Sequence, residues 1–423
     1  MTQSLDAWLD RIGRQHPNAI ELGLERVRTV AGRLGIRRPA RHVLTVAGTN
    51  GKGSTVAFAE AIARAAGLRV GAYTSPHLLR YNERVRIDGA EASDAALVEA
   101  FEAVEGARGT TSLTYFEYGT LAALWLFERA ALDLAVLEVG LGGRLDAVNI
   151  VDPDVAVITT VDLDHADWLG SDRESIGAEK AGIMRGWRPV VLGERDPPSS
   201  VLRRAYAVGA SAIRLGCDFF VDAPPLAGEW TWREPGFEMA LPAPALPAPA
   251  QRDNAATAIA ALRALDLDLP QAAFARGVAT AALPGRLQRI VRDGVDIVLD
   301  IGHNPQAARE LGRWLDAQRP VTTHAVFAAL GDKDLPGLVA PLVPRIGAWF
   351  LAGLEPETPR GLAVDRLAAR LGEALPRAER HATVATALDA ACGAALPGER
   401  VLVFGSFFTV AAALRRLQPA AVG

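Results

Sequence analysis

Short runs of β-branched and aliphatic residues alternate with longer Ala- and Leu-rich stretches through the first three quarters of the chain. Such alternation is the pattern of βαβ units built around a parallel sheet. Val43 to Ala47 and Val70 to Tyr73 read as strands, with a helix from Thr55 to Ala66 between them. Leu134 to Val139 and Val155 to Val161 are nearly continuous apolar runs, as strands covered on both faces require. The segment Leu241-Pro242-Ala243-Pro244-Ala245-Leu246-Pro247-Ala248-Pro249 changes the texture; its prolines exclude a helix or central strand and predict an extended connector. A helix is predicted over Asn254 to Leu265, and Pro284-Gly285 predicts a hinge. Beyond it, strand-like runs at Asp296 to Leu299, Ala325 to Ala328, Trp349 to Leu351 and Val401 to Phe404 are separated by helical patterns. The pattern therefore predicts an α/β chain: a parallel-sheet N-terminal domain over residues 1–285 and a smaller, Rossmann-like domain over 286–423. In open sheets of this kind ligands collect at the carboxyl ends of the strands, so polar residues placed there carry weight.

Composition narrows the partners. A chain of 423 residues that is half apolar can bury more than one core. Its 45 basic and 49 acidic residues nearly balance, so no bulk field concentrates it on nucleic acid or anionic lipid, and small molecules are the predicted partners. Two cysteines, Cys217 and Cys392, cannot build a disulfide framework, and the polar opening has no signal-peptide core. No apolar stretch is long enough for a spanning helix. These features predict a cytoplasmic protein.

The candidate chemistry begins at Gly48-Thr49-Asn50-Gly51-Lys52-Gly53-Ser54, directly after the first strand and opening a helix. Glycines there let backbone N–H groups approach an anion, the helix N-terminus adds partial positive charge, and Lys52 neutralises phosphate oxygens. Ser54 supplies a hydroxyl oxygen for magnesium. The pattern G-x-x-x-x-G-K-[ST] is imperfect, because Val46 stands where the first glycine belongs and Gly53 follows the lysine. A ligand-free glycine-rich turn therefore remains open on the loop alone. Two later strand ends add Glu138, in Leu137-Glu138-Val139-Gly140-Leu141-Gly142-Gly143, and Asp162-Leu163-Asp164-His165. Carboxylates at neighbouring strand ends suit magnesium, which prefers oxygen and keeps waters and substrate phosphates in its shell. Together with the loop they favour a P-loop-containing nucleotide domain over capping carboxylates and a buried histidine.

These residues resemble the dihydrofolate synthase and folylpolyglutamate synthase branch of the Mur ligase superfamily. The resemblance rests on the loop Gly48 to Ser54 and on Thr74-Ser75-Pro76-His77-Leu78, Tyr115-Phe116-Glu117, Glu138 to Gly143, Asp164-His165 and Glu179-Lys180-Ala181-Gly182-Ile183. Leu283-Pro284-Gly285-Arg286, Asp300-Ile301-Gly302-His303-Asn304-Pro305 and Gly405-Ser406-Phe407 extend it to the C-terminal part. Tyr81-Asn82-Glu83-Arg84-Val85-Arg86-Ile87 and Ala166-Asp167-Trp168-Leu169-Gly170 make it most similar to the bifunctional bacterial form. Val148, Ile301-Gly302 and Phe408 depart from the family pattern.

The resemblance implies an ATP-dependent amide ligase that joins L-glutamate to dihydropteroate and then adds glutamates to reduced folates through an acyl phosphate. It implies nucleotide contacts from Thr49, Asn50, Gly51, Lys52, Gly53, Ser54, Asn254, Arg286, Asp300 and His303. It implies metal ligation by Ser75, Glu138, His165 and Lys180, with two magnesium ions, manganese as a substitute and potassium as a further cation. Lys52, His165 and Lys180 are the catalytic set, and Lys180 is carbamylated in this superfamily, a reaction that needs a neutral amine and hence burial. The alternative for Lys180 is a helix-surface lysine paired with Glu179 or Glu174. The pterin and folate site is implied at Glu21, Leu22, Gly23, Leu24, Thr114, Phe116, Leu145, Asp146 and Ala147. An ordinary core role for Leu22 and Phe116 stays open, as does a helix-cap role for Asn254. A site drawn from two domains implies closure that keeps water from the acyl phosphate. The implied protein is a monomer, without nucleic-acid or membrane partners.

Other readings make different demands. A folylpolyglutamate synthase alone would share every motif. A cell-wall amino-acid ligase of the same superfamily usually carries a further N-terminal domain, and only some forty residues precede the first strand. A P-loop GTPase wants N-K-x-D, for which Gly331-Asp332-Lys333-Asp334 lacks the asparagine. A non-catalytic nucleotide module gives Glu138, His165 and Lys180 no common purpose.

Overall fold

The computed structural model describes residues 3–16, 20–222, 228–375 and 377–418. The chain forms two compact units, one of residues 1–245 with 251–282 and one of residues 246–250 with 283–423. The division falls three residues before the predicted boundary, and part of the proline-rich connector belongs to the second unit.

The first unit is built on an eight-stranded sheet. Its strands are β1 (His42–Ala47), β2 (Val70–Tyr73), β3 (Val85–Ile87), β4 (Ala90–Glu91), β5 (Leu134–Glu138), β6 (Val155–Ile158), β7 (Pro189–Leu192) and β8 (Ser211–Arg214), in the order β4-β3-β2-β5-β1-β6-β7-β8. All pairs are parallel except the β2-β3-β4 edge, which is antiparallel. The buried runs of β1, β5 and β6 fit the sequence reading, because helices cover both faces of a parallel sheet. Tyr73, Phe101, Tyr118 and Phe127 pack into one core cluster, and Ile158, Ile176, Val190 and Val201 into another along the same face of the sheet. The sheet order puts β1 between β5 and β6, with Val46 opposite Glu138 and Ala47 opposite Ile158. The ends of these three strands therefore converge on the glycine-rich loop.

A second, three-stranded antiparallel sheet was not anticipated: β9 (Phe220–Asp222), β10 (Trp230–Glu234) and β11 (Phe237–Leu241). Trp232 is fully buried, stacks on Phe219 at 6.1 Å and donates its indole N–H to Ala256 O at 3.2 Å. The helix beneath it runs from Gln251 to Arg263, so Asn254 lies inside its first turns rather than at its cap. That removes the capping alternative for Asn254.

The second unit carries a six-stranded sheet of β12 (Gln288–Arg292), β13 (Val295–Asp300), β14 (Thr323–Phe327), β15 (Ala348–Ala352), β16 (Glu379–His381) and β17 (Arg400–Phe404), ordered β12-β13-β17-β14-β15-β16. It is parallel except for β12, which forms a hairpin with β13. Phe327 and Phe404 pack at 4.9 Å between centroids in its core. Asn304 caps the helix Pro305–Ala317 by accepting from Ala307 N, with proline in the first turn, as the sequence predicts. Gly285 has φ +69 and is tied into this unit, since Ile301 N donates to its carbonyl and its own N–H donates to Gln288. Among the described residues no helix is long and apolar enough to cross a membrane.

Candidate active site

The glycine-rich loop is held from one side by the end of β6. Thr49 N donates to Thr160 O at 2.7 Å, Asn50 N to Thr160 Oγ1 at 3.1 Å, and Thr159 Oγ1 to Asn50 O at 2.6 Å. Thr49 Oγ1 also exchanges bonds with both backbone groups of Asp162, each at 3.0 Å. Gly48 has φ +154, and a β-carbon there would lie 1.8 Å from Thr159 Oγ1; Gly51 has φ +85, and one there would lie 2.4 Å from Asn254 Oδ1. These two positions thus admit only glycine, and the second brings Asn254 against the loop. Gly51 opens the helix Lys52–Ala65, whose N-terminus has no side-chain cap. Its first N–H groups face outward at the loop, the arrangement that receives an anion. Lys52 Nζ donates to the Gly48 and Thr49 carbonyls at 3.1 and 3.3 Å. Gly53 and Ser54 are buried in the first turn.

Lys180 ends the helix Arg173–Lys180 and is only 3 % exposed. Burial, and then the nearby charge of Lys52, lower its pKa to about 7, against the opposing pull of Asp164 and Asp146. It pairs with neither neighbouring glutamate: Glu179 binds Arg144 at 2.8 Å, and Glu174 holds Ser199 N, Ser200 N and Arg203. The surface-lysine alternative therefore fails on burial. Asp146 is buried too, and desolvation raises its carboxyl to about 6 despite bonds from Leu141 N and Val148 N, both at 2.9 Å, and the charge of Lys52. Mutual electrostatic influence thus puts Lys52, Lys180, Asp146 and Asp164 in one neighbourhood. Asp164, which the sequence offers in the strand end Asp162 to His165, has its side chain 8 % exposed and accepts from His165 N at 2.9 Å. His165 lies at φ +51 and opens the short helix Ala166–Leu169.

Glu138 ends β5, is 5 % exposed and accepts from Ser75 N at 3.2 Å, so two of the metal candidates meet. Ser75 precedes a cis proline, Pro76. Among the described residues no three His, Cys, Asp or Glu side chains gather at metal distance. Magnesium does not require such a cage, since one or two carboxylates with phosphate and water oxygens complete its shell. The donor set of Ser75 and Glu138 beside a phosphate loop fits that ion.

The segment 21–24 joins the helix Tyr115–Arg129 through Arg26. Its guanidinium binds Glu21, by side chain and carbonyl, and Glu117 at 2.9 Å. Glu117 in turn accepts from Thr114 N at 2.8 Å in a capping box. Leu22, Gly23 and Leu24 are half-buried before the helix Glu25–Leu34. Phe116, half-buried, lies 6.1 Å from Tyr73 and lies against Gly140, while Leu145 is half-buried and Ala147 buried beside Asp146. Arg84, part of a longer run in the sequence, emerges as a missed candidate. It is 8 % exposed, stacks near Tyr81 and Tyr115, and its Nε donates to His77 Nδ1 at 2.8 Å. Burial, and then Arg84, push the His77 pKa down to about 4 against the pull of Glu83, so the neighbouring imidazole is neutral. The sequence carried no signal for this, because cation and rings come together only through tertiary packing.

In the second unit, Asp300 ends β13, and its carboxylate accepts from Gly302 N at 2.8 Å and Leu287 N at 3.0 Å. Burial raises its pKa, opposed first by Arg286. Arg286 lies over the Phe407 ring at 5.9 Å, and His303 lies 6.1 Å from the same ring. These three predicted residues therefore share one strand-end cluster.

Residues 46–218 match the Mur ligase middle domain, and residues 285–407 the Mur ligase glutamate ligase domain. The dihydrofolate synthase/folylpolyglutamate synthase of Escherichia coli is 48 % identical over 409 residues, covering 96 % of this chain and 94 % of that one. The chain belongs to the dihydrofolate synthase/folylpolyglutamate synthase family of Mur ligases. A solved structure of this family, E. coli FolC in complex with DHPP and ADP, superposes with a TM-score of 0.92 at 46 % identity, covering 98 % of this chain and 97 % of that one. Another family member, solved with manganese, AMPPNP and L-glutamate bound, gives a TM-score of 0.91 at 46 % identity with 98 % of each chain covered. Family membership also excludes the GTPase reading, and the Asp332-Lys333 segment instead lies beside Arg360 and Arg370 in the second unit.

Proposed function

We propose that this chain is an ATP-dependent ligase that joins L-glutamate to dihydropteroate, giving dihydrofolate, and adds further glutamates to reduced folates. One observation carries the reading: a phosphate loop with an uncapped helix N-terminus shares its neighbourhood with a buried, depressed-pKa lysine and two carboxylates. The chemistry makes these demands. A carboxylate is a poor acceptor for an amine, because its charge is delocalised and oxide will not leave. Transfer of the γ-phosphoryl group to the carboxylate, with release of ADP, converts it to an acyl phosphate. The neutral amine of glutamate then attacks the acyl carbon, phosphate leaves, and the amine's extra proton passes to solvent. Bringing two anions together needs concentrated positive charge in a site from which water is excluded. Lys52 and the loop N–H groups supply it from the protein; Ser75, Glu138 and His165 would hold a divalent metal, which would add further charge neutralisation.

Lys180 enters this reading as a carbamate. The neutral amine adds carbon dioxide and loses a proton, which turns a buried cation into an anionic oxygen ligand beside the metal candidates. Its pKa of about 7 makes the neutral amine abundant at neutral pH. Lys180→Ala should lose activity and regain part of it with short-chain carboxylates; full activity without rescue would exclude the carbamate.

The remaining assignments carry the family resemblance over to the matching residues. Asn254 and the loop residues Thr49 to Ser54 are assigned to the nucleotide, as are Arg286, Asp300 and His303 of the second unit. The pterin is assigned to Glu21 to Leu24, Thr114, Phe116 and Leu145 to Ala147, with Asp146 as acceptor for its N–H edge and Arg84 as the cation for a substrate carboxylate. Two magnesium ions, manganese as their substitute and an activating potassium ion complete the cation set. The working unit proposed is a monomer. The deciding assay is glutamate-dependent ADP release, first with dihydropteroate and then with tetrahydrofolate. Release with both is expected, and release with neither would overturn the proposal.

A further inference from the structure

The backbone between β6 and His165 is gripped from two sides. Val161 N donates to Glu194 Oε1 at 3.0 Å, and Val161 O accepts from Arg173 Nε at 2.8 Å. Arg173 closes the ring with one terminal nitrogen, which reaches Glu194 Oε2 at 3.0 Å and Asp196 O at 2.9 Å. One ion pair thus satisfies both backbone groups of a single residue. The next residue, Asp162, has both of its backbone groups taken by Thr49 of the phosphate loop. Only then does the chain turn outward through Leu163, half exposed, to Asp164 and His165.

His165 needs this anchoring. Its left-handed backbone is unfavourable for a residue with a β-carbon and persists only where surrounding bonds fix it. Arg173 is also the first residue of the helix that ends at Lys180. A single Arg173–Glu194 pair therefore links the start of the Lys180 helix, the end of β7 and the strand that leads to His165. Neither residue belongs to the phosphate loop, and neither is among the metal candidates.

We propose that Arg173 and Glu194 are positioning residues that hold the Asp164-His165 turn and the Lys180 helix in register with the phosphate loop, and so set the affinity of the site for its divalent metal. The proposal rests on the ligase reading above. Glu194→Gln keeps the side-chain volume but turns one of two acceptors into a donor, facing either Val161 N or Arg173. Groups that orient metal ligands typically change metal affinity by about 10- to 100-fold when altered. The manganese affinity of the full chain, measured from the free-ion electron paramagnetic resonance signal with a non-hydrolysable ATP analogue present, should weaken by roughly that factor. The magnesium concentration giving half-maximal ADP release should rise in parallel, with turnover recovering at saturating metal. Should Glu194→Gln fail to fold, Arg173→Lys, which reaches one acceptor instead of three, carries the same measurement. Unchanged manganese affinity in a folded variant overturns the proposal, whatever happens to its melting temperature. A wild-type chain silent with both pterin substrates removes the reading beneath it, whereas an active wild type with unmoved variants rejects the positioning role alone.

Discussion

Replacing Lys180 by methionine should stabilise the protein while abolishing turnover. The magnitude follows from burial. A pKa lowered from 10.5 to about 7 means that the folded state disfavours the charged amine. The unfolded chain keeps the ordinary value, so it binds the proton more tightly and draws stability away at neutral pH. At 1.36 kcal/mol per unit, the penalty is about 4 kcal/mol at pH 7 and shrinks to about 2 kcal/mol at pH 9. The sign is that of a depressed lysine: stability rises with pH between the folded and unfolded pKa values and is flat below the folded one. Methionine has a similar length and no charge, so Lys180→Met should exceed wild type by an amount that narrows as pH rises. Urea denaturation at pH 7 and pH 9, in buffer free of carbon dioxide and divalent metal, reads the difference directly. Adding bicarbonate with magnesium should then stabilise wild type more than the variant. A variant no more stable than wild type at pH 7, or a gap that does not narrow by pH 9, would refute the reasoning, because the amine would then be solvated and under no pressure to become neutral.

Other consequences can be checked in parallel. Gly48→Ala would place a β-carbon 1.8 Å from Thr159 Oγ1, so it should destabilise the first unit by about 1–3 kcal/mol in denaturant titrations. Gly51→Ala should raise the KM for ATP, since at φ +85 its β-carbon would lie 2.4 Å from Asn254 Oδ1. Arg26→Ala leaves Glu117, with its side chain 4 % exposed, short of its cation; a loss of about 2–3 kcal/mol and a raised KM for dihydropteroate are expected, discounted for the partial exposure of Arg26. Asp146 ionises only near pH 6, so the KM for dihydropteroate should fall as pH rises through that value, and Asp146→Asn should lose the dependence. Chelation of divalent metal should stop ADP release, and manganese should restore it.

The glycine-rich loop, the strand pattern and the order of motifs are local facts, and the sequence by itself determined them. Strands covered on both faces must be apolar throughout, so β1, β5 and β6 were legible as runs, and Asn304-Pro305 was legible as a helix start because capping is a matter of three or four neighbouring residues. Short edge strands were not legible. β12 reads Gln288-Arg289-Ile290-Val291-Arg292, mostly solvated, and β3 and β4 are too brief to show a period. The β9-β10-β11 sheet was hidden because its stability comes from Trp230 and Trp232 packing on elements distant in sequence. What tertiary structure alone decided is which charges are felt together. Glu138, Asp146, Asp164 and Lys180 are separated along the chain, and nothing local distinguishes Lys180 from a surface lysine or Asp164 from a turn residue. Strand order brings β1 between β5 and β6, and burial removes the water that would otherwise screen these groups. The depressed lysine and the raised Asp146 carboxyl are consequences of that desolvation, which no single stretch of sequence contains.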